Sequence, residues 1–340
     1  MQKTWISEFI NTTKCIVDCI KESSTVKNQN SNLHPDLQKT ARKIPKFLFK
    51  HNTLWVIKWL LKWMPALKTP ADMCVENIFI SGEDGQTKIR LRIYKPKSIT
   101  ALTPVLIWLH GGGYVMGKPE MDDRRCAHFV RELGVAVVSV DYRCAPKHPF
   151  PAGLEDAYAA LKWVVSHPQQ LGIDGKRIAV GGASAGGGLA AALVQLMHDR
   201  QEIKLDFQLL VYPMLDDRTA LRTDLDDSHN ITWTLKSNRF GWKSYLGKEY
   251  GAEDVPAYAV PARQEDLSGL PPTWIGVGTL DIFHDEDVAY AQRLKDCGVA
   301  CELHIVPGAF HGFDVFDTRL PVVEEFRNAQ ISALKKYLLQ

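Results

Sequence analysis

A serine stands between two glycines in the segment Gly182–Gly186, Gly-Ala-Ser-Ala-Gly, a spacing that suits a nucleophile. The apolar run 177–181 precedes this segment and small residues at 187–193 follow it, which predicts a strand, a sharp turn and a helix. The glycines would let strand and helix pack closely while the turn exposes the hydroxyl of Ser184. Such a pattern arises by chance in roughly one chain in ten of this length. Other residues of the chain must therefore show whether Ser184 is a nucleophile.

A serine hydroxyl attacks only when a base removes its proton and a carboxylate orients that base. Asp281 follows the predicted strand Thr273–Gly278, and His311 follows the predicted strand Cys301–Val306. Both residues would lie on the same rim of a parallel sheet as Ser184. The order Ser, Asp, His is the order expected of α/β-hydrolases. The three residues are therefore the predicted catalytic triad.

Asp281 has competitors for the carboxylate position, because Asp285, Glu286 and Asp287 follow it closely. These acids resemble the first turn of a helix, where acidic side chains complement the helix dipole and cap free amides. Asp281 is nearest to the end of the strand. It is therefore predicted to orient His311.

Acyl transfer also needs hydrogen-bond donors for the oxygen that becomes negative in the tetrahedral intermediate. Glycines directly after the predicted strand Val105–Leu109 leave backbone amides unobstructed and permit unusual backbone angles. Ala185, at the start of the predicted helix, would contribute another amide. The candidate residues of the glycine loop are His110, Gly111, Gly112 and Gly113.

The rest of the chain predicts an α/β sandwich with a mainly parallel sheet, because continuously apolar runs alternate with helical patterns. The first two strands should form an antiparallel hairpin at one edge of the sheet. The predicted strands are Val75–Ile80, Ile89–Tyr94, Val105–Leu109, Val135–Tyr142, Ile178–Ala183, Phe207–Tyr212, Thr273–Gly278 and Cys301–Val306. The predicted helices are Pro119–Leu133, Gly153–His167, Ala185–Arg200, Asp285–Cys297 and Val322–Leu338.

Two stretches break this alternation and are predicted to fold together as a helical cap over the site. Residues 1–70 are helical in pattern and precede the first strand, and residues 214–262 carry aromatic side chains at roughly helical spacing. The predicted division is therefore a catalytic domain at 71–213 and 263–340, with a cap built from 1–70 and 214–262.

The composition indicates a globular protein and argues against nucleic acid as a partner. Of 340 residues, 45% are hydrophobic and 24% are charged. The formal net charge of +2 is too small for non-specific electrostatic binding of nucleic-acid phosphates. The seven cysteines are odd in number and lack the paired spacing of a zinc site. We therefore expect reduced thiols in a cytoplasmic protein, with no metal and no stable membrane anchor.

The segment Leu54–Met64 is strongly apolar, but it is too short to span a bilayer and it carries Lys58 and Lys62. Charged residues at 8, 14, 18, 21 and 22 interrupt any apolar core of a signal peptide. Leu54–Met64 is predicted to be a helix packed on the body of the protein. The alternative is a face that touches lipid or an oily substrate.

Several motifs together resemble the hormone-sensitive-lipase-like group of α/β-hydrolase carboxylesterases. The motifs are His110–Gly113, Ser184–Gly187, Asp141–Arg143 followed by Ala145-Pro146, His148–Ala152, and Asp281 with Asp285-Glu286. The resemblance implies an α/β-hydrolase fold with an eight-stranded, mostly parallel sheet and a helical cap. It also implies a cofactor-free hydrolase of esters with short to medium acyl chains. It assigns the triad above and the amides of Gly112, Gly113 and Ala185 as oxyanion donors, with His110 and Gly111 shaping the loop.

Some residues depart from the family pattern without removing a triad member. Ala183 replaces a common acidic residue beside the serine, and Cys144 and Lys147 replace a leucine and a glutamate. Ile282-Phe283 replaces Pro-Leu after the aspartate. The Lys147 change reverses a charge near Arg143, which is predicted to act as a structural buttress.

Other functions remain open from the sequence alone. A lipase acting on longer lipid esters would use the apolar Leu54–Met64 segment, and a ligand receptor could use the same fold without catalysis. Amide or carbamate cleavage would use the same chemistry. The last strand, Cys301–Val306, is expected to pair with its copy in a homodimer.

Overall fold

The computed structural model describes residues 32–44, 51–98, 102–226 and 230–339. Its centre is one eight-stranded sheet in the order β1-β2-β4-β3-β5-β6-β7-β8. The strands are β1 (Met73–Ser81), β2 (Lys88–Pro96), β3 (Thr103–Leu109), β4 (Ala136–Asp141), β5 (Ile173–Ala183), β6 (Phe207–Val211), β7 (Thr273–Gly278) and β8 (Cys301–Val306).

Strands β3 to β8 are parallel, whereas β1 and β2 form an antiparallel hairpin whose second strand also runs antiparallel to β4. The predicted edge hairpin is therefore confirmed. The central strands are buried on both faces, which explains why they read as continuous apolar runs.

Helices cover both faces of this sheet. Within the described residues the α-helices are α1 (Gln38–Ala41), α2 (His51–Lys62), α3 (Asp123–Leu133), α4 (Ala152–Ser166), α5 (Pro168–Leu171), α6 (Ala185–Arg200), α7 (Leu235–Leu246), α8 (His284–Asp296) and α9 (Pro321–Leu338). Helices α4, α6 and α8 pack on one face, and α3 and α9 pack on the other, so that each face has its own core.

The predicted strands and helices are all present, with differences at their ends. The helix expected from Pro119 begins as a tight 3₁₀ turn at Pro119–Asp122 and becomes α-helical at Asp123. Strand β5 begins at Ile173 rather than Ile178, because Thr103 of β3 pairs with it across an irregular register. The predicted α/β-hydrolase architecture is the observed one.

The two stretches that break the alternation meet each other above the sheet. Leu54, Ile57 and Leu61 of α2 share an apolar cluster with Phe240 of α7 and with Met116, which follows the glycine loop. This contact is the one expected of a common cap. Residues 1–31 and 45–50 of the first stretch lie outside the described residues, and the division into domains stays a prediction. None of the helices in the described ranges has the length and apolar character to cross a membrane.

Candidate active site

Ser184 occupies the turn between β5 and α6, in a backbone conformation that serine rarely adopts. Its φ is +56°, in the left-handed region that normally favours glycine. Backbone hydrogen bonds hold this conformation: the Ser184 amide donates to Val211 O at 2.9 Å, and the Ser184 carbonyl accepts from Met214 N at 3.0 Å. The strained turn lifts the hydroxyl above the carboxyl ends of the strands.

The glycines around Ser184 are required by close backbone contacts. A Cβ atom at Gly182 would lie 2.2 Å from Gly186 O, and one at Gly186 would lie 2.1 Å from Leu109 O. A side chain at Gly182 would push the start of α6 away from β5, and one at Gly186 would push α6 away from the end of β3. The two glycines therefore bring the serine turn next to the glycine loop that follows β3.

The three residues predicted from their order along the chain meet in one hydrogen-bonded series. Nε2 of His311 lies 2.9 Å from Ser184 Oγ, and Nδ1 of His311 lies 2.7 Å from Asp281 Oδ2. The other oxygen of Asp281 accepts from the Phe283 amide at 3.0 Å. All three triad residues are buried but not sealed, with 6–7% of each exposed. The carboxylate can hold Nδ1 protonated, which leaves Nε2 free to take the serine proton.

The competing acids have other partners or positions. Asp285 is exposed and pairs with Arg222 and with His284 Nδ1 at 2.9 Å. Glu286 is buried and accepts from the Leu215 amide at 2.7 Å, and burial raises its pKa well above the usual range. Asp287 is completely buried, and its pKa is raised by burial first and then by the neighbouring Glu286 and Asp281. Of the four acids, the structure places Asp281 against His311.

The glycine loop after β3 has the backbone angles that only glycine adopts easily. Gly112 and Gly113 have φ values of +128° and +59°, and their amides donate to no acceptor within the described residues. Ala185 is the first residue of α6, so its amide has no partner inside the helix. Gly111 lies against the serine turn, since a Cβ there would be 3.5 Å from Ser184 Cβ. These amides can bind a negative oxygen beside Ser184.

His110 supports the loop from below. Its Nδ1 donates to Gly111 O at 2.9 Å, and its ring stacks on Tyr142 with centroids 4.2 Å apart. The Tyr142 hydroxyl donates to His110 O at 2.7 Å. Complete burial lowers the pKa of His110, so the ring is neutral at pH 7. The histidine therefore acts as a fixed spacer under the loop.

Three supporting contacts have no signal in the sequence. Trp233 of the predicted cap lies against Gly113, where a Cβ would be 2.0 Å from the indole ring. Tyr212 contacts the His311 ring edge to face, with centroids 4.8 Å apart. The Tyr212 hydroxyl and the Arg125 guanidinium both donate to Asp314, at 2.7 and 2.9 Å. These pairs are far apart in the chain, so local pattern and spacing could not reveal them.

Arg143 has the structural position that was predicted for it. Its amide donates to Asp156 Oδ2 at 2.8 Å, and its guanidinium pairs with the same carboxylate at 2.8 Å. Asp156 is buried in α4, so the pair ties the loop after β4 to that helix. Lys147 is exposed and does not replace this contact.

The described residues contain no group of three His, Cys, Asp or Glu side chains that could hold a metal ion. The five cysteines among them, Cys74, Cys126, Cys144, Cys297 and Cys301, are free thiols. Cys15 and Cys19 lie outside the described residues.

The fold and the site define an α/β-hydrolase, and comparison with known proteins agrees. The sequence profile of the alpha/beta hydrolase fold family matches residues 106–315, and that of the carboxylesterase family matches residues 2–205. The chain belongs to these families and is a carboxylic ester hydrolase of the hormone-sensitive-lipase-like group.

Individual relatives are similar over most of their length. Esterase LipI of Mycobacterium tuberculosis is 33% identical over 90% of this chain and 95% of its own. Ethyl acetate hydrolase of Pseudomonas putida is 32% identical over 78% of this chain and 83% of its own. Among solved structures, a bacterial heroin esterase superposes with a TM-score of 0.84 at 37% identity, covering 90% of this chain and 98% of that one.

Proposed function

We propose that this protein is a serine carboxylesterase that hydrolyses esters of short- to medium-chain acids through an acyl-enzyme. The observation that carries the proposal is the unbroken series from Ser184 Oγ through His311 to Asp281, at 2.9 and 2.7 Å. Such a series makes a neutral hydroxyl nucleophilic at neutral pH, which a ligand receptor does not require.

In the acylation step, His311 Nε2 takes the proton of Ser184 as Oγ attacks the ester carbonyl carbon. The carbonyl oxygen becomes negative and accepts hydrogen bonds from the amides of Gly112, Gly113 and Ala185. The imidazolium of His311, stabilised by Asp281, then gives its proton to the leaving alcohol. The C–O bond to the alcohol breaks, and the acyl group stays on Ser184.

In the deacylation step, a water molecule replaces the alcohol. His311 takes one proton of this water, and its oxygen attacks the acyl carbon in the same oxyanion site. Collapse of the second tetrahedral intermediate returns the proton to Ser184 Oγ and releases the acid. The cycle needs only protein groups and water, so we propose no cofactor and no metal.

A preference for short to medium acyl chains is supported by the surroundings of the glycine loop. Trp233 lies directly against Gly113, which restricts the space next to the proposed oxyanion site. One of the relatives carries the name ethyl acetate hydrolase, which denotes a short ester. We further propose that the protein acts in the cytoplasm, where its free thiols stay reduced.

The proposal is tested by stopped-flow hydrolysis of chromogenic esters with acyl chains from acetate to palmitate, together with labelling by an organophosphate. The full chain should give a burst of chromophore, become labelled on Ser184 and prefer the shorter acyl chains. Ser184→Ala should lose about 10⁴-fold or more in kcat and should not be labelled. Ser166→Ala, at an exposed serine that ends α4, is the matched control.

Each alternative function predicts a different result. Hydrolysis that survives Ser184→Ala would refute the triad. A native chain that neither hydrolyses nor labels would be a receptor, and a preference for emulsified long-chain triglyceride would make the protein a lipase.

We also propose a homodimer formed through the last strand. Strand β8 is an edge of the sheet, and Ile305 on it is 40% exposed. Light scattering after gel filtration should give twice the chain mass, and Ile305→Lys should give the monomer mass, because a charged side chain on an edge strand opposes pairing of that edge. A native monomer at micromolar concentration would refute this assembly.

A further inference from the structure

Helix α2 presents large aromatic side chains to solvent. Trp55 and Trp59 are 63% and 55% exposed, and their spacing of four residues places them on one side of the helix. Trp63, in the turn directly after Lys62, is 69% exposed. Trp59 and Trp63 contact each other edge to face, with centroids 6.5 Å apart. Leu60 and Met64 extend the same exposed surface. We call these five residues the tryptophan face. A contiguous apolar surface of this kind marks an interaction site.

The opposite side of α2 is already used for packing. Leu54 is buried there, and Ile57 and Leu61 join it against Val115 and Met116. The Lys58 ammonium donates to Ala145 O at 3.3 Å on the same body. The helix is therefore held with its tryptophan face outward, so this face is not a misplaced part of the core.

A basic groove runs beside α2. The lysines that line it are Lys58, Lys62, Lys118 and Lys147, and no Asp or Glu is among its lining residues. Lys118 also ties this groove to the end of the tryptophan face, because its ammonium donates to Met64 O at 3.0 Å. The chain as a whole carries only +2, so the positive charge is local.

His148 also lines the basic groove, next to Lys147. Its pKa is lowered by burial first and then by the cations Lys147, Arg143 and Lys58, whereas Asp156 raises it.

We propose that the tryptophan face and the basic groove dock the protein on the surface of an anionic lipid bilayer. Tryptophan rings prefer the depth of the lipid headgroups, and lysines beside them attract lipid phosphates and carboxylates. A helix of twelve residues is about 18 Å long, and it would lie flat in the headgroup region with its outer face immersed. Such docking is peripheral and reversible.

Charge favours a lipid surface over the two protein segments that could cover this face, a second copy of the chain and the chain's own residues 1–31. A second copy docking by the same face across a two-fold axis would bring two basic grooves together, which is repulsive. Residues 1–31 of this chain contain four lysines and three acidic residues, so they offer no net negative charge to the groove. An anionic bilayer matches both the apolar face and its basic border.

The test is co-sedimentation of the full chain with vesicles of phosphatidylcholine alone and with 30% phosphatidylserine. The protein should bind the anionic vesicles at least tenfold more tightly than the neutral ones, and 0.5 M salt should weaken this binding. Brominated acyl chains should quench its tryptophan fluorescence. Equal binding to both vesicles, or no binding, would overturn the proposal.

Variants separate the two parts of the surface. Replacing Trp55, Trp59 and Trp63 together by alanine should lower vesicle binding at least tenfold. Lys62→Ala with Lys147→Ala should weaken the preference for anionic lipid, because two of the four lysines of the groove are removed. Leu102→Ala is the matched control, because Leu102 is 54% exposed just before β3, at the end of that strand opposite to the loop that contacts α2. Hydrolysis of a soluble short ester and the Tm verify that the variants fold.

Two further results would also overturn the proposal. If the triple tryptophan variant binds vesicles like the native chain, another surface makes the contact. If the native chain forms a dimer that this variant abolishes, the face belongs to a second copy. Ser184→Ala should bind vesicles like the native chain, so a failure of lipid binding is distinguishable from a failure of the proposed catalysis.

Discussion

At the scale of single residues, the role of each acid near the site follows from its hydrogen-bond partners. Asp281, Asp285, Glu286 and Asp287 lie within seven positions of one another and have the same chemistry. Only Asp281 contacts His311, whereas Asp285 pairs with Arg222 at the surface and Glu286 accepts from backbone amides. Geometry, not residue type, therefore selects Asp281 as the proposed orienting carboxylate.

Asp281→Asn should keep the fold and lose about 10⁴-fold in kcat, because an amide can hold the wrong tautomer of His311. Asp285→Asn should change kcat less than twofold, since its partners lie outside the triad. Steady-state hydrolysis of a soluble ester measures both variants. Similar losses in the two variants would contradict the assignment of Asp281.

Asp287 should make stability depend on pH. It is fully buried, and its carboxyl oxygens have no hydrogen-bond partner within the described residues. Burial raises the pKa of Asp287 in the folded protein above the ordinary 3.8. As the pH rises above about 4, the unfolded chain loses the carboxyl proton before the folded protein does, so the free energy of unfolding falls.

Asp287→Asn should therefore raise the free energy of unfolding at pH 8 by on the order of 1 kcal/mol or more, and this gain should vanish near pH 4. Urea unfolding at the two pH values measures the difference. Asp296→Asn, at an exposed site on the same helix, is the control. A gain that is equal at both pH values would contradict this account.

At the scale of elements, the site depends on how closely α6 approaches the end of β3. The serine turn and the glycine loop come from neighbouring parallel strands, β5 and β3, whose ends lie side by side. Gly186 at the start of α6 touches the carbonyl of Leu109, the last residue of β3. This contact sets the distance between Ser184 and the proposed oxyanion amides.

Gly186→Ala should lower both stability and kcat, although alanine is the better helix former. The gain in helix propensity is about 1 kcal/mol, whereas a methyl group forced to 2.1 Å from a backbone oxygen must displace α6 at a cost of about 1–3 kcal/mol or more. Urea unfolding and ester hydrolysis measure the two effects.

Gly175→Ala is the control for this substitution, because Gly175 lies in β5 and its nearest neighbour would be an ordinary 3.6 Å away. The account is wrong if Gly186→Ala keeps native kcat.

At the scale of the whole molecule, a buried ionic network joins parts that are distant in the chain. Arg125 of α3, Tyr212 after β6 and Asp314 after His311 hydrogen-bond to one another, and Arg125 and Asp314 are buried. Because Tyr212 also contacts the His311 ring, the network supports this ring from behind.

Asp314→Asn should destabilise the protein by about 3–5 kcal/mol, because it leaves the Arg125 charge buried without its closest counterion. Asp317→Asn should leave stability unchanged, since Asp317 pairs with an exposed Arg319 on the same loop. Urea unfolding followed by fluorescence measures both. Equal stability of the two variants would contradict the role given to the network.

Much of the fold could be predicted because its signals are local. Buried parallel strands are continuous apolar runs, and apolar residues recur every three to four positions in the helices, so all eight predicted strands and all six predicted helices are found. The ends of these elements are not set locally: the start of β5 at Ile173 depends on pairing with β3. The proximity of Ser184, Asp281 and His311 was predictable, because strand order fixes which loops lie at the same edge of the sheet.

The amino-acid sequence by itself determined the chemistry and the order of its parts: the serine turn, the glycine loop, an acid and a histidine after later strands. Tertiary structure alone decided which acid faces His311, how Trp233 closes on Gly113 and which side of α2 faces solvent. The physical reason is the separation along the chain between the residues that interact. Turns, strands and helices depend on neighbours along the chain, whereas these contacts join segments whose approach is set by packing of the whole fold.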